Sequence, residues 1–127
     1  MKNKHFWDNF INAARGILTA IKNERHMKLH IFATVIVISL SIYYRISRLE
    51  LIAIIITIST VITAEMINTA VEAVVDLATQ DYNEKAKLAK DVAAGAVLVA
   101  ALFSVAIGFF VFYDRIKADV IKLIELI

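Results

Sequence analysis

Three long runs of apolar residues alternate with short charged segments along the chain. Residues 29–44 contain one acidic or basic side chain, and residues 51–64 and 92–113 contain none. A transmembrane helix needs about 20 mostly apolar residues. A soluble bundle of very apolar helices is the alternative, but a surface helix should show polar residues on every turn. The pattern therefore predicts an all-α integral membrane protein with transmembrane helices over residues 28–46, 49–76 and 88–113.

The segments that flank these runs have the pattern of amphipathic helices. Over residues 1–26, apolar residues such as Phe6 and Trp7 recur at helical spacing, and polar residues fall largely between them. Such a helix is expected to lie in the membrane interface. Residues 114–127 alternate Ile, Leu and Val with Lys, Asp and Glu, which predicts a second interfacial helix that continues the third span. We expect a single membrane domain over residues 1–127, with the first span retained as an anchor because no cleavable signal peptide precedes it.

Composition narrows the function classes. Hydrophobic residues make up 60% of the 127 positions, which excludes a disordered chain. The chain has no Cys, which excludes a disulfide scaffold and a zinc-finger site, so that any metal here is expected on oxygen ligands. A net charge of +2 is too small to indicate a nucleic-acid partner.

The distribution of Lys and Arg predicts the orientation in the membrane. Nine of these residues lie in the N-terminal segment through Lys28 and in the loop 76–91, and five lie on the opposite side. Because positive charge accumulates on the cytoplasmic side, we expect the N-terminus and this loop inside and the C-terminus outside.

Polar residues form one stripe at the inner end of the second predicted span. Glu65, Asn68, Glu72 and Asp76 share a face at helical spacing. Glu65 and Glu72 are about 10 Å apart along the axis, so the two carboxylates cannot share one proton. An intramembrane carboxylate usually has a function, and the deeper Glu65 is a candidate general base. The alternative is that these side chains only join helices of the bundle by hydrogen bonds.

The same end of the molecule carries candidates for cation and phosphate binding. Glu72 lies nearer to the aqueous edge, where it could hold Mg²⁺, and Glu24 could supply a second ligand. Lys90, followed by Asp91, begins the third span and could neutralise phosphate oxygens, although a snorkelling Lys is the commoner case. Neither a Walker-type motif nor GxGxxG is present. The spacing indicates an acidic, metal-capable groove that faces the cytoplasm, and it does not identify a substrate.

Small residues recur along one edge of the third predicted span. Because membrane helices associate through close backbone approach, this edge is expected to pack against neighbouring helices. Its members are Ala89, Ala93, Ala96 and Ala100, and the opposite surface carries Leu98, Leu102, Val105 and Phe109.

Two segments resemble the signature of a known family. The run Glu65-Met-Ile-Asn-Thr-Ala-Val-Glu72-Ala-Val-Val-Asp76 is followed, after a loop, by Ala89-Lys-Asp-Val-Ala-Ala-Gly-Ala-Val97, which includes Lys90. Together they closely resemble the prokaryotic diacylglycerol kinases, whose pattern is roughly E-x-x-N-[ST]-A-[IV]-E and, later, A-K-D. The resemblance covers essentially the whole chain. It implies a small integral-membrane lipid kinase, unrelated to soluble kinases, that forms homotrimers and uses ATP and Mg²⁺.

The resemblance also implies roles for individual residues. Glu65 would be the general base that binds and deprotonates the lipid hydroxyl, and Asn68 would line the reacting centre. Glu24 and Glu72 would hold the metal that bridges the ATP phosphates. The residues that would bind ATP are Lys90, Asp91, Asp81, Tyr82, Asn83 and Asn12.

Details of the motifs resemble the Gram-positive branch of this family, which mainly phosphorylates undecaprenol. They include the Asn-Thr-Ala-Val-Glu run and His30 after Glu24. We therefore expect an undecaprenol-phosphorylating enzyme in the bacterial cytoplasmic membrane, with diacylglycerol as the alternative acceptor. A hypothesis of a different class is a small proton-coupled exporter that uses Glu65 as its carrier. Such an exporter would not need Glu72 or Lys90.

Overall fold

The computed structural model of the protein describes residues 2–126, with side chains from residue 6 onward. This part of the chain is all-helical. The helices are α1 (Lys2–Asn23), α2 (Arg25–Tyr43), α3 (Arg48–Ala78) and α4 (Glu84–Glu125).

Helices α2, α3 and α4 are each long and apolar enough to cross a membrane. Most of their large apolar side chains are exposed on the single chain, as expected when the surroundings are lipid or other helices and not water. The predicted all-α fold, with three helices long and apolar enough to span a membrane, is confirmed for the described residues. Helix α1 presents an exposed aromatic cluster, in which the Phe6 and Phe10 rings lie 5.0 Å apart beside Trp7. Its location in the membrane interface stays a prediction.

Two breaks separate α1, α2 and α3, and each has a local cause. Glu24 takes an extended backbone (φ −86°, ψ 126°), so α1 ends at Asn23 and α2 begins directly afterwards. At the other end of α2, Arg45 has a φ of 48°, in the left-handed region, which ends the helix before the predicted residue 46. A capping box then begins α3, because Ser47 Oγ accepts from the Glu50 amide and the Glu50 carboxylate accepts from the Ser47 amide.

Helices α3 and α4 form an antiparallel pair with the largest interhelical contact of the chain, and α2 packs on α3. At the end of the molecule near the α2–α3 turn, Ile54 of α3 packs with Val111 and Phe112 of α4 in a small buried core. At the opposite end, Met27 of α2 is 1% exposed. Side chains of α2 and α3 are thus buried toward both ends of the described bundle.

Helix α4 continues without interruption through Glu125, so the predicted span 88–113 and the predicted extension after it are one helix. Two polar contacts hold this extension against the α2–α3 turn. Arg115 donates both terminal nitrogens to the Glu50 carboxylate, at 3.0 Å each, and the Tyr44 hydroxyl donates to Asp119 at 2.9 Å. The helix also begins earlier than predicted, at Glu84, because the Asn83 side chain caps it.

The small edge of α4 is only partly covered within one chain. Ala93 and Ala100 are half-buried, whereas Ala89 and Ala96 are exposed. On the opposite surface Leu98, Leu102, Val105 and Phe109 are all exposed. Packing of this edge against another copy stays a prediction.

Candidate active site

A groove of about 320 Å³ lies where α2, α3 and α4 meet, toward the end of the molecule that carries the α3–α4 loop. Its polar side chains come from two helices, and α4 contributes an apolar wall. The lining residues are His26 and His30 of α2, Glu65, Asn68 and Glu72 of α3, and Ala94, Val97, Leu98 and Ala101 of α4. We call this space the acidic groove.

Burial and hydrogen bonding distinguish the three polar residues of α3. Glu65 is 3% exposed and Asn68 is 7% exposed, while Glu72 is half-buried. The Asn68 Nδ2 donates to Glu72 Oε1 at 3.0 Å. The Asn68 Oδ1 is buried and has no hydrogen-bond partner within the described residues. Because buried polar atoms are normally satisfied, this oxygen is an acceptor available to a ligand in the groove.

The Glu65 carboxylate is the deepest charge of the site. None of the salt bridges among the described residues includes Glu65 or Glu72. Burying a carboxylate without a cationic partner is costly to folding, which makes Glu65 a candidate for a functional role. The structure places Glu65 in the acidic groove, and its role as general base stays a prediction.

The donor set fits a metal that arrives with phosphate groups and does not form a complete protein cage. Within the described residues, no three His, Asp or Glu side chains cluster closely enough to hold an ion. Glu24 is half-buried at the α1–α2 break, two residues before His26, and does not line the acidic groove. Mg²⁺ commonly takes one or two carboxylates together with phosphate oxygens and waters. Of the two predicted protein ligands, only Glu72 lines the acidic groove, and a metal held by Glu72 and Glu24 stays a prediction.

A second groove, of about 240 Å³, lies at the end of α3, beside the first turns of α4. We call it the loop groove. Four of its lining residues were predicted to bind ATP, namely Asp81, Tyr82, Asn83 and Lys90. The Asn83 side chain is already engaged, because its Oδ1 accepts from the amides of Lys85 and Ala86 as the cap of α4.

Two ion pairs lie on the first turns of α4. The Lys90 ammonium donates to Asp76 Oδ1 at 2.5 Å, across from α4 to α3. Lys87 pairs with Asp91 at 3.2 Å on the helix surface. Asp91 does not line the loop groove, whereas Asp76 does. The structure thus attaches Lys90 to a residue of the polar stripe.

The structure brings together most of the predicted site residues but not all of them. Glu65, Asn68 and Glu72 share the acidic groove, and the loop groove contains Lys90 and its neighbours. Asn12 is exposed on α1 and lines neither groove, and Glu24 and Asp91 also lie outside both.

Helix α2 contributes two site residues that the sequence pattern did not identify, His26 and His30. His26 and His30 are four residues apart and therefore share one face of that helix, which was the available signal. Which way this face points is decided by the packing of α2 on α3. Asp76 was placed on the polar stripe, but its pairing with Lys90 was not foreseen.

Comparisons with known proteins identify the family of this chain. Residues 11–112 match the family described as prokaryotic diacylglycerol kinase. The undecaprenol kinase of Bacillus subtilis (strain 168) is 36% identical over 111 residues, which cover 87% of this chain and 90% of that protein. The diacylglycerol kinase of Synechocystis sp. is 39% identical over 79% of this chain, which spans 58% of that relative's length.

A third relative, the diacylglycerol kinase of Haemophilus influenzae, is 31% identical over 68% of this chain and 73% of its own length. The family match includes the polar stripe of α3 and the beginning of α4, which contribute to both grooves. An enzyme family accounts for the site, so the exporter hypothesis is set aside. The chain belongs to the prokaryotic diacylglycerol kinase family and is a lipid kinase.

Proposed function

We propose that this protein transfers the terminal phosphoryl group of ATP to the hydroxyl of undecaprenol, in the acidic groove. The observation that carries the proposal is a buried carboxylate without a cationic partner, Glu65, beside a buried acceptor without a donor, Asn68 Oδ1. Glu65 and Asn68 both line a groove that has an apolar wall. A lipid hydroxyl offers one proton to donate and an apolar chain to bury, which matches both features.

The chemistry asks little of the protein beyond positioning and charge neutralisation, because phosphoryl transfer involves little covalent catalysis. Glu65 accepts the proton of the lipid hydroxyl as its oxygen attacks the terminal phosphorus of ATP, and the bond from that phosphorus to the bridging oxygen breaks to release ADP. Asn68 orients the reacting groups and holds Glu72 through its 3.0 Å hydrogen bond. Lys90, at the loop groove, neutralises phosphate oxygens of the nucleotide.

Mg²⁺ is the metal that this donor set suits, with Glu72 and Glu24 as its protein ligands. When bound, it neutralises phosphate charge during transfer. Asn68 restrains the Glu72 carboxylate from one side, which leaves the second carboxylate oxygen free for the ion. Asp81 and Tyr82 would lie along the nucleotide, and Asn12 and Asp91 would approach it at the margins of the site.

We propose undecaprenol rather than diacylglycerol as the acceptor, because the undecaprenol kinase of Bacillus subtilis is similar to this chain over 90% of the length of that kinase. Diacylglycerol is the second candidate, favoured by the 39% identity to the Synechocystis enzyme. Both acceptors present one hydroxyl at the membrane interface, so the geometry of Glu65 serves either. The substrate preference must come from groups farther along the lipid.

The excess of Lys and Arg in the N-terminal segment and the 76–91 loop supports a site that faces the cytoplasm, in the bacterial cytoplasmic membrane. The large exposed apolar surface of the single chain is consistent with a homotrimer.

The test is a phosphorylation assay on the purified protein in mild detergent, with labelled ATP and equal concentrations of undecaprenol or diacylglycerol. We expect the higher kcat/KM with undecaprenol. A preference for diacylglycerol would replace the acceptor and keep the enzyme class. Absence of phosphate transfer to any lipid alcohol, by protein of native size, would overturn the proposal.

A further inference from the structure

Asp76 makes the only contact that the described residues show between the polar stripe of α3 and the cations of α4. The donor is the Lys90 ammonium, 2.5 Å from Asp76 Oδ1. The Lys90 side chain is 37% exposed and the Asp76 side chain is 66% exposed, so the pair lies at the surface of the loop groove. Both residues line that groove.

The location of the pair relates it to the acidic groove. Asp76 follows Glu72 by one helical turn on the same face of α3, which is a rise of about 6 Å along the axis. Lys90 is therefore anchored to the α3 residue one turn beyond the carboxylate proposed to bind Mg²⁺.

The contact leaves Lys90 able to bind a ligand. An ammonium has three donors, and Asp76 takes one of them. A free Lys side chain samples many rotamers, and ordering it on binding costs part of the affinity. A carboxylate that already holds the ammonium at the edge of the groove reduces that cost.

We propose that Asp76 is a positioning residue, which orders Lys90 in the loop groove so that two of its donors meet the phosphates of ATP. The inference rests on the proposed function and adds a residue to it. Asp76 itself touches no reacting atom. Its effect is on nucleotide affinity, and the lipid and the proton transfer at Glu65 are not affected.

A competing arrangement makes an opposite prediction. If the Asp76 carboxylate competed with phosphate for the Lys90 ammonium, its negative charge would also repel the nucleotide. Neutralising Asp76 would then strengthen ATP binding. The Asp76→Asn variant separates the two, because it keeps the shape of the side chain and removes the charge. Asp76 is exposed, so the substitution should not affect folding.

The experiment measures kcat, KM for ATP and KM for the lipid in wild type, Asp76→Asn and Asp76→Glu. Glu50→Gln is the matched control, because it also breaks a Lys/Arg–carboxylate pair of α3 and α4, but at the opposite end of the molecule. We expect Asp76→Asn to raise the KM for ATP about threefold to tenfold, from the range set by an exposed ion pair and by lost rotamer order. The kcat and the lipid KM should change less than about twofold, as expected when only ground-state nucleotide binding is lost.

Two further measurements complete the test, namely rescue of ATP affinity by a conservative substitution of Asp76 and the coupling of Asp76 to Lys90. Asp76→Glu should recover most of the ATP affinity, and Glu50→Gln should leave it unchanged. In a Lys90→Met background, Asp76→Asn should no longer change the binding of a fluorescent ATP analogue. An unchanged or lowered KM for ATP in Asp76→Asn would overturn the inference, as would an equal loss in the Lys90→Met background. Because wild type is assayed alongside, failure of the proposed function would show separately as absence of lipid phosphorylation in every sample.

Discussion

A substitution of Asn68 tests whether the polar residues of the acidic groove serve activity without contributing to the stability of the protein. The substitution Asn68→Leu keeps a side chain of similar shape and removes both polar atoms. In the native chain the Nδ2 donates to Glu72 at 3.0 Å, while the buried Oδ1 has no partner. The change therefore removes one favourable contact and one unfavourable burial.

The two contributions to the free energy of unfolding oppose each other. A hydrogen bond to a charged group contributes about 1.5–3 kcal/mol, and a buried polar atom without a partner costs about 1–3 kcal/mol. The two ranges leave a net change of at most about 2 kcal/mol in either direction, which corresponds to a shift in Tm of at most about 8 °C for a chain of this size.

Catalysis has no such compensation, because the variant releases Glu72 and removes the acceptor from the groove. If the 1.5–3 kcal/mol contact orients the site in the transition state, kcat/KM should fall about 10-fold to 150-fold. The measurements are lipid phosphorylation rates and thermal unfolding of the same purified sample. Thr57→Val is the control, since Thr57 is a buried hydroxyl of α3 that lies outside the acidic groove and bonds only to the Ala53 carbonyl.

The result that would refute this reasoning is a large fall in Tm with turnover kept within threefold of wild type. Asn68 would then be a structural residue whose free oxygen has no ligand to bind.

Two further predictions concern the carboxylates of the site, and a third concerns the small edge of α4. Glu65→Gln should lower phosphorylation about 10²-fold to 10⁴-fold with Tm unchanged or raised, because a general base is lost and a buried charge is removed; activity above a few per cent would contradict that role. Glu72→Gln and Glu24→Gln should each raise the Mg²⁺ concentration for half-maximal activity about tenfold, through loss of an oxygen ligand, and an unchanged midpoint in both would place the metal elsewhere. Ala93→Leu, which adds volume at a half-buried position of α4, should disturb the oligomer on size-exclusion chromatography and reduce turnover, whereas the exposed Leu102→Ala should not; unaltered behaviour of Ala93→Leu would show that this edge is not a packing surface.

The sequence determined the spans and the polar stripe because both depend on local chemistry. Uncharged runs of sufficient length must form helices in lipid, since every backbone polar group needs a partner there. Helical periodicity then places Glu65, Asn68 and Glu72 on one face, whatever the rest of the chain does. The resemblance of these residues to a lipid-kinase signature followed from the same short segment.

Helix ends were harder to predict, because they depend on single side chains and backbone angles. The Asn83 cap begins α4 four residues before the apolar run suggests, and the extended backbone of Glu24 ends α1 early. Beyond the span, the charged residues after Tyr113 were predicted to continue the third helix, and α4 does run without a break to Glu125. The sequence did not indicate that Arg115 and Asp119 hold this extension against Glu50 and Tyr44 at the α2–α3 turn.

Only the tertiary structure decided which faces meet. The His pair of α2 turns toward the α3 stripe, and Lys90 meets Asp76 although 14 positions separate them. A helical pattern specifies a face but not the rotation of one helix against another, which depends on how side chains from all the helices interlock. For that reason the sequence was sufficient to predict the chemistry of the stripe, while the residues that orient the stripe were identified only from the packing of the helices.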